Sequence, residues 1–359
     1  MRILFVVRTL GYGGASKQLA LLANALSCFN HKVFVYSYCA NQTKQTFVPV
    51  VTYLPEKNIP KSKTKEYLCS VVNIRRKIKE IEPDIIISWR CNAGCLTKIA
   101  SFGLNAKTIF CERTDPYTET SLALKVSAFI CCFSDGGVFQ LEHVREYYKR
   151  LYAKSVVIPN PIEFDEEEIA EVVPYDSRPH RIVFVGRMVV SQKRQDVALD
   201  AFKIFLSKRP DYELHFYGDG EDFDEIKKMS EQKGVKQSVV FHGAEKNIVE
   251  KIRDAKVLIV SSDYEGIPNV ILEAFVAGVP VVSTDCSPGG ARVLIDDGEN
   301  GFLAPVGDAE RLARKMLDVE EDEKLAEKFI VNGKIRLRHF TPDVIFQQWN
   351  EYLRKKYDC

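Results

Sequence analysis

Glu265 and Glu273 stand eight residues apart in the stretch SDYEGIPNVILEAFVAG (262–278). Arg187 and Lys193 stand six apart in VGRMVVSQK (185–193). Two cations at the end of an apolar run, just before a helix start, suit a diphosphate. Two carboxylates around a Gly266-Ile267-Pro268 turn suit hydroxyl groups, because an ionised carboxylate only accepts hydrogen bonds. Asn269 and Val270 open the helix behind that turn, and its first N–H groups offer an anion free donors and partial positive charge. A plainer reading stands beside this one. Each charge, taken alone, suits a solvated loop or helix surface.

A third group is glycine-rich. Gly11, Gly13 and Gly14 follow the first apolar run and open a helical segment, so backbone there can approach a phosphate closely. It is not a dinucleotide fingerprint: position 16 is Ser16, and the second apolar run ends Tyr36-Ser37-Tyr38 with no acid. A plain tight turn is the alternative. The triplet Asp222-Phe223-Asp224 resembles a metal-binding pair, but it opens a helix, where acids suit the dipole. The six histidines show no metal-ligand spacing, so no metal and no other cofactor is expected.

These residues need a scaffold that presents loops at strand ends. Strand-like runs alternate with amphipathic segments along the whole chain, the pattern of a parallel α/β sheet. The first half reads as strands at 3–7, 31–38, 46–53, 83–89, 107–112 and 128–133, with helices at 16–27, 64–81 and 136–151. Ile158-Pro-Asn-Pro-Ile162 and the acidic run 165–171 read as a linker. A second cycle follows, with strands at 181–185, 213–217, 239–242, 257–260 and 279–283, and helices from Gln195, Glu221, Asn247 and Asn269. Gly278 and Pro280 end the helix that carries Glu273. The last amphipathic helix, 340–359, carries Ile345, Trp349 and Leu353 as a stripe. Two doubly wound Rossmann-like domains are expected, facing a cleft: 1–165 plus the returning helix 340–359, and 166–339.

Composition is that of a soluble globular chain, 46% hydrophobic and 28% charged. The N-terminus is too short in apolar residues for a signal peptide, and no run approaches a membrane span. Ten cysteines without a CxxC pair read as reduced thiols, which points to the cytoplasm. Charge is uneven. Residues 1–165 hold 22 Lys and Arg against 13 Asp and Glu, and the remainder holds 28 against 36. Lys57, Lys61, Lys63, Lys65, Arg75, Arg76, Lys77 and Lys79 form the densest basic region. Such a half suits an anionic membrane surface or a diphosphate-linked acceptor. Near-neutral net charge and the lack of a basic–aromatic motif disfavour nucleic acid.

GRMVVSQKRQD, SSDYEGIPNVILEAFVAGVPVVSTD and GENGFLAPVGD together resemble the retaining GT-B-fold glycosyltransferases of family GT4. CERTDP (111–116) and VIPNPI (157–162) are similar to members that build bacterial surface polysaccharides. The resemblance covers nearly the whole chain and is most specific over 181–307. It implies a nucleotide-sugar donor, a UDP-hexose or UDP-N-acetylhexosamine, held by the acidic half. A glycan or polyprenyl-diphosphate-linked acceptor is then held by the basic half. It implies transfer with retention, without metal, by a protein peripheral to the inner face of the cytoplasmic membrane. Arg187 and Lys193 would stabilise the departing diphosphate, Glu265 would hold the sugar and Glu273 the ribose. Gly13, Gly14, Gly266, Ile267, Pro268, Asn269 and Val270 would line the donor site.

Two departures matter. Members of the family often carry a histidine at an N-terminal-domain strand end, and none is available after IIISW or in Glu112-Arg113. Trp89, Glu112 and Arg113 are the acceptor-side candidates instead. A glutamate usual three residues after a Gly-Gly pair is Val293 here. Two other functions fit the same architecture: a UDP-sugar epimerase, and a non-catalytic nucleotide-sugar-binding subunit. The sugar and the linkage formed are not legible.

Overall fold

The computed structural model describes residues 1–11, 14–39, 45–56, 63–117, 121–162 and 172–357. Gly13, Lys57, Lys61, the acidic run 165–171 and Cys359 lie outside the described residues. The chain divides into two compact units, Met1–Pro161 with Pro342–Cys359, and Ile162–Thr341.

The first unit holds β1 (Arg2–Val7), α1 (Gly14–Cys28), β2 (Lys32–Ser37), β3 (Thr52–Pro55), α2 (Lys63–Ile81), β4 (Ile85–Trp89) and α3 (Cys91–Ala100). It continues with β5 (Lys107–Cys111), α4 (Leu122–Cys131), β6 (Gly136–Phe139), α5 (Glu142–Tyr147) and β7 (Ser155–Val157). Its sheet is parallel throughout, in the order β3-β2-β1-β4-β5-β6-β7. Strand β1 shows why both faces must be covered. Ile3, Phe5 and Val7 enter one core, with Leu19, Leu22 and Leu26 of α1, while Leu4 and Val6 enter another, with Ile74 and Ile78 of α2. Side chains alternate across a strand, so an all-apolar strand is stable only between two helical layers.

The second unit holds β8 (Arg181–Val185), α6 (Val190–Lys193), α7 (Gln195–Leu206), β9 (Glu213–Tyr217), α8 (Phe223–Gln232), β10 (Val239–Gly243) and α9 (Ile248–Ile252). Then come β11 (Val257–Val260), α10 (Asn269–Ala277), β12 (Val281–Thr284), α11 (Gly290–Leu294), β13 (Phe302–Ala304), α12 (Ala309–Glu321) and α13 (Glu323–Leu337). Its parallel sheet runs β10-β9-β8-β11-β12-β13. Phe202 and Phe205 of α7, Leu312 and Met316 of α12, and Phe329 of α13 close one core. The last helix, α14 (Pro342–Tyr357), returns to the first unit and buries Ile345, Trp349 and Leu353 there.

Three expected elements are corrected. The apolar run 128–133 is not a strand but the end of α4; Cys131 is buried while Phe129 and Phe133 are half exposed. The segment 136–151 is not one helix. Gly136–Phe139 pairs with β5 and β7, and a short α5 follows. The third strand spans only Thr52–Pro55.

Candidate active site

In both sheets the chain starts in the middle. Strands β9 and β10 extend one side of β8, and β11 to β13 extend the other. The crevice between the carboxyl ends of β8 and β11 is therefore a topological switch point, where doubly wound sheets bind ligands. Arg187 and Lys193 lie in the segment after β8, and Glu265 in the segment after β11.

Lys193 Nζ donates to Glu265 Oε1 in a close ion pair, with side chains only 14% and 11% exposed. Ser262 Oγ donates to the same oxygen at 2.8 Å. The loops are tied below this pair. Ser261 Oγ donates to the Lys193 and Arg194 carbonyls, both at 2.8 Å. Asp263 N donates to Gln192 O at 2.9 Å. Arg194 grips Asp263 and Asp196 in bidentate fashion, which holds its guanidinium even further above the ordinary range. Arg187 is exposed, and its Nη2 donates to Gln192 Oε1 at 2.6 Å. Cys286 is buried beside Glu265, and burial pushes its thiol up to about 12. It is no thiolate nucleophile at neutral pH.

The carboxylate loop is pinned from the β12 side. Glu265 N donates to Ser287 O at 2.9 Å, and Thr284 Oγ1 to Ser262 O at 2.7 Å. A Cβ on Gly290 would fall 1.5 Å from the Gly266 carbonyl oxygen, so only glycine permits this approach. Ile267 and Pro268 are buried behind the loop; Pro268 is the N-cap of α10, with extended backbone and no side-chain cap. Asn269 is exposed at the first helical position, Val270 is buried and Glu273 is partly buried one turn on. Gly278, in the left-handed region at φ 68°, ends the helix. Asp222 is occupied otherwise: its Oδ2 accepts from Val190 N at 2.7 Å and so braces the segment that carries Lys193.

The first unit has its own switch point, between β1 and β4. A cavity of about 550 Å³ opens there, lined by Arg8, Trp89, Arg90, Glu112, Lys125 and Tyr148 among others. Glu112 is fully engaged. Its Oε1 accepts from Arg113 N, Thr114 N and Thr114 Oγ1 at 2.8, 3.2 and 2.9 Å, and its Oε2 from Tyr148 OH at 3.0 Å. Burial holds its carboxyl above the usual range, against the pull of those bonds. Trp89 is core, and its indole N–H donates to Ala15 O at 3.0 Å. Arg113 does not reach the cavity. Its guanidinium lies 4.2 Å over the Trp89 ring and donates to Asn160 Oδ1 at 3.1 Å. Gly14 opens α1 near the same sheet end.

Sequence reading missed Arg90, Lys125 and Ser262. Arg90 has φ 75° and ψ 158°, a conformation costly for any side chain, at the end of β4 and on the cavity wall. Its only sequence signal was its place directly after an apolar strand.

Residues 165–336 match the family model of glycosyl transferases group 1. Over 97% of this chain and 97% of the relative, the sequence is 27% identical to "GalNAc-alpha-(1->4)-GalNAc-alpha-(1->3)-diNAcBac-PP-undecaprenol alpha-1,4-N-acetyl-D-galactosaminyltransferase" of Campylobacter jejuni. Residues 165–336 carry a group 1 glycosyl transferase domain. The lipopolysaccharide outer core galactosyltransferase WaaB, in its apo form, matches this transferase with a TM-score of 0.84 at 20% identity, over 99% of this chain and 100% of that one. Anabaena Alr3699/HepE, in complex with UDP, matches with a TM-score of 0.79 at 20% identity, over 99% and 100%. These likenesses establish the GT-B fold of the transferase, with its two Rossmann-like units.

Proposed function

We propose that this transferase moves a hexose or N-acetylhexosamine from a UDP-sugar to a glycan or polyprenyl-diphosphate-linked acceptor, with retention, in bacterial surface polysaccharide synthesis. The observation that carries the reading is the half-buried Lys193–Glu265 pair at the β8/β11 switch point, with Arg187 exposed beside it. In the reading, the diphosphate lies against Arg187, Lys193 and the first turn of α10. As the bond from the anomeric carbon to the phosphate oxygen breaks, the acceptor hydroxyl oxygen bonds to that carbon from the same face, its proton passes to the leaving phosphate oxygen, and negative charge grows on the diphosphate in between. Fixed cations in a water-poor crevice stabilise that charge most where it develops. Glu265, already oriented by Ser262, accepts from hydroxyls of the sugar. Glu273 accepts from the ribose.

Two names support the donor and acceptor classes. The Campylobacter jejuni relative acts on an undecaprenol diphosphate-linked glycan by its name, and the Anabaena neighbour holds UDP. Acceptor binding falls to the cavity of the first unit. Arg8, Arg90 and Lys125 line it and suit a diphosphate, with Trp89 and Tyr148 as apolar wall. Metal independence is part of the proposal, and the engagement of Asp222 by the Val190 N–H supports it.

Among the described residues no helix is long and apolar enough to cross a membrane. We place the enzyme in the cytoplasm, peripheral to the inner face of the cytoplasmic membrane. A thermal-shift panel of UDP, GDP, ADP and UDP-sugars tests the donor, since a bound ligand raises stability by mass action. Transfer to a polyprenyl-diphosphate glycan, with and without EDTA, tests the rest. Glu265→Gln and Lys193→Ala are expected to bring transfer down by about a hundredfold or more; full transfer by either variant refutes the assigned roles.

A further inference from the structure

The helix α4 is apolar on both sides, yet only one side is covered. Inward, Ala128 and Cys131 are buried, and Cys131 Sγ lies 3.4 Å from Cys91 O of α3. Outward, Leu122, Val126, Phe129 and Phe133 are 77%, 51%, 53% and 50% exposed. Their spacing of four, three and four places them in one stripe along the helix and its final turn. Such a row on a soluble surface marks a contact with something apolar.

The charges around the row say what that is. From Ser121 to Ser134 the single charged residue is Lys125, and no carboxylate occurs. Exposed Lys149 and Arg150 border the far end, and the Arg150 guanidinium lies 5.4 and 5.6 Å from the Phe129 and Phe133 ring centroids. A stripe one helix wide is narrow for a stable protein interface, which takes about 20–30 residues a side. A single apolar stripe edged by Lys and Arg is what an interfacial helix presents to anionic lipid.

We propose that the outward face of α4 is a membrane-docking surface: Leu122, Val126, Phe129 and Phe133 enter the acyl boundary of an anionic bilayer, and Lys125 and Arg150 meet its headgroups. Leu124 and Lys125 of this same helix also line the 550 Å³ cavity. A helix lying in the interface plane thus holds the cavity wall at headgroup depth, where the diphosphate of a lipid-linked acceptor lies. That last step rests on the acceptor class proposed above; the docking surface itself does not.

The test is flotation of the full chain with vesicles of phosphatidylethanolamine and phosphatidylglycerol, and with phosphatidylcholine alone. The wild type is expected to float with the anionic vesicles. The triple variant V126S/F129S/F133S is expected to lose about tenfold or more of that partitioning. Arg150→Ala is expected to lose about fivefold and to flatten the salt dependence. Val331→Ser, an exposed apolar position of the second unit, is expected to float unchanged. Phe129→Trp, read with brominated lipid, gives an answer independent of the folding of the triple variant. Quenching supports insertion, and its absence overturns it. Equal flotation of wild type and triple variant overturns the proposal. So does a concentration-dependent dimer that only the triple variant abolishes, which assigns the face to a second copy. The UDP thermal shift is read in parallel. Its failure in every variant refutes the donor reading and leaves the flotation result standing.

Discussion

Removing Lys193 should weaken the second unit before any substrate is considered. With side chains 14% and 11% exposed, Lys193 and Glu265 form a largely desolvated pair. Breaking such a pair from one side costs about 3–5 kcal/mol, because the remaining charge stays buried. Ser262 Oγ, at 2.8 Å from Glu265 Oε1, remains in Lys193→Ala and offsets about 1 kcal/mol. The expected loss is therefore about 2–4 kcal/mol. The double variant K193M/E265Q should recover about 2 kcal/mol of it, as neither charge is then left alone. Intrinsic fluorescence is the wrong probe, since Trp89 and Trp349 both belong to the first unit. Hydrogen exchange of the β8 and β11 amides reports the second unit, and the expected loss is an acceleration of about 30- to 1000-fold. Acceleration below about threefold in Lys193→Ala, or no recovery in the double variant, refutes a coupled buried pair.

Gly290→Ala cannot be accommodated without moving the Gly266 carbonyl, so UDP thermal stabilisation should vanish and stability fall by about 1–3 kcal/mol. Arg90→Gly should relieve backbone strain at φ 75° and raise the melting temperature of the first unit while cutting transfer; unchanged transfer removes Arg90 from the acceptor site. His215 contacts Glu213 Oε2 and His242 Nε2, both at 3.0 Å, with Arg181 nearby. Burial lowers its folded pKa below the ordinary 6.5, so the unfolded chain takes up the proton first on acidification. Stability is then present above 6.5 and lost as pH falls through the lower folded value, by at most about 1.4 kcal/mol per pH unit. Exchange of the β9 amides between pH 7.5 and 5.5 measures this, and His215→Gln should flatten the slope.

The second unit was the more legible because its strands are short, mostly apolar and bounded by helices with clear starts. Arg181–Val185, Glu213–Tyr217 and Val257–Val260 sit where the apolar runs put them. The first unit misled where burial is one-sided. AFICCF has no polar residue to reveal a helical period, since its exposed face is apolar too. Gly136 and Gly137 hide β6, because glycine weakens a strand signal while letting Tyr352 and Tyr357 approach closely. Strand β13, three residues long, was passed over altogether. At the site, residue type and place in the chain exposed Lys193 and Glu265, but not that they face each other, nor that Ser262 orients one of them. The engagement of Glu112 by Tyr148 links residues 36 positions apart, and no local pattern carries it.

The return of α14 to the first sheet bears on the order in which the protein can be made. Ile345, Trp349 and Leu353 fill a core that also contains Ile3 and Phe5. That core stays open until α14 has been synthesised. The second unit, Ile162–Thr341, is one uninterrupted segment and needs nothing after it. During synthesis the later unit can therefore close first, while the earlier one waits with apolar surface bare. A nascent chain stalled before residue 342 should bind chaperones through its N-terminal half, and trimming the last helix should harm the end of the molecule that was made first.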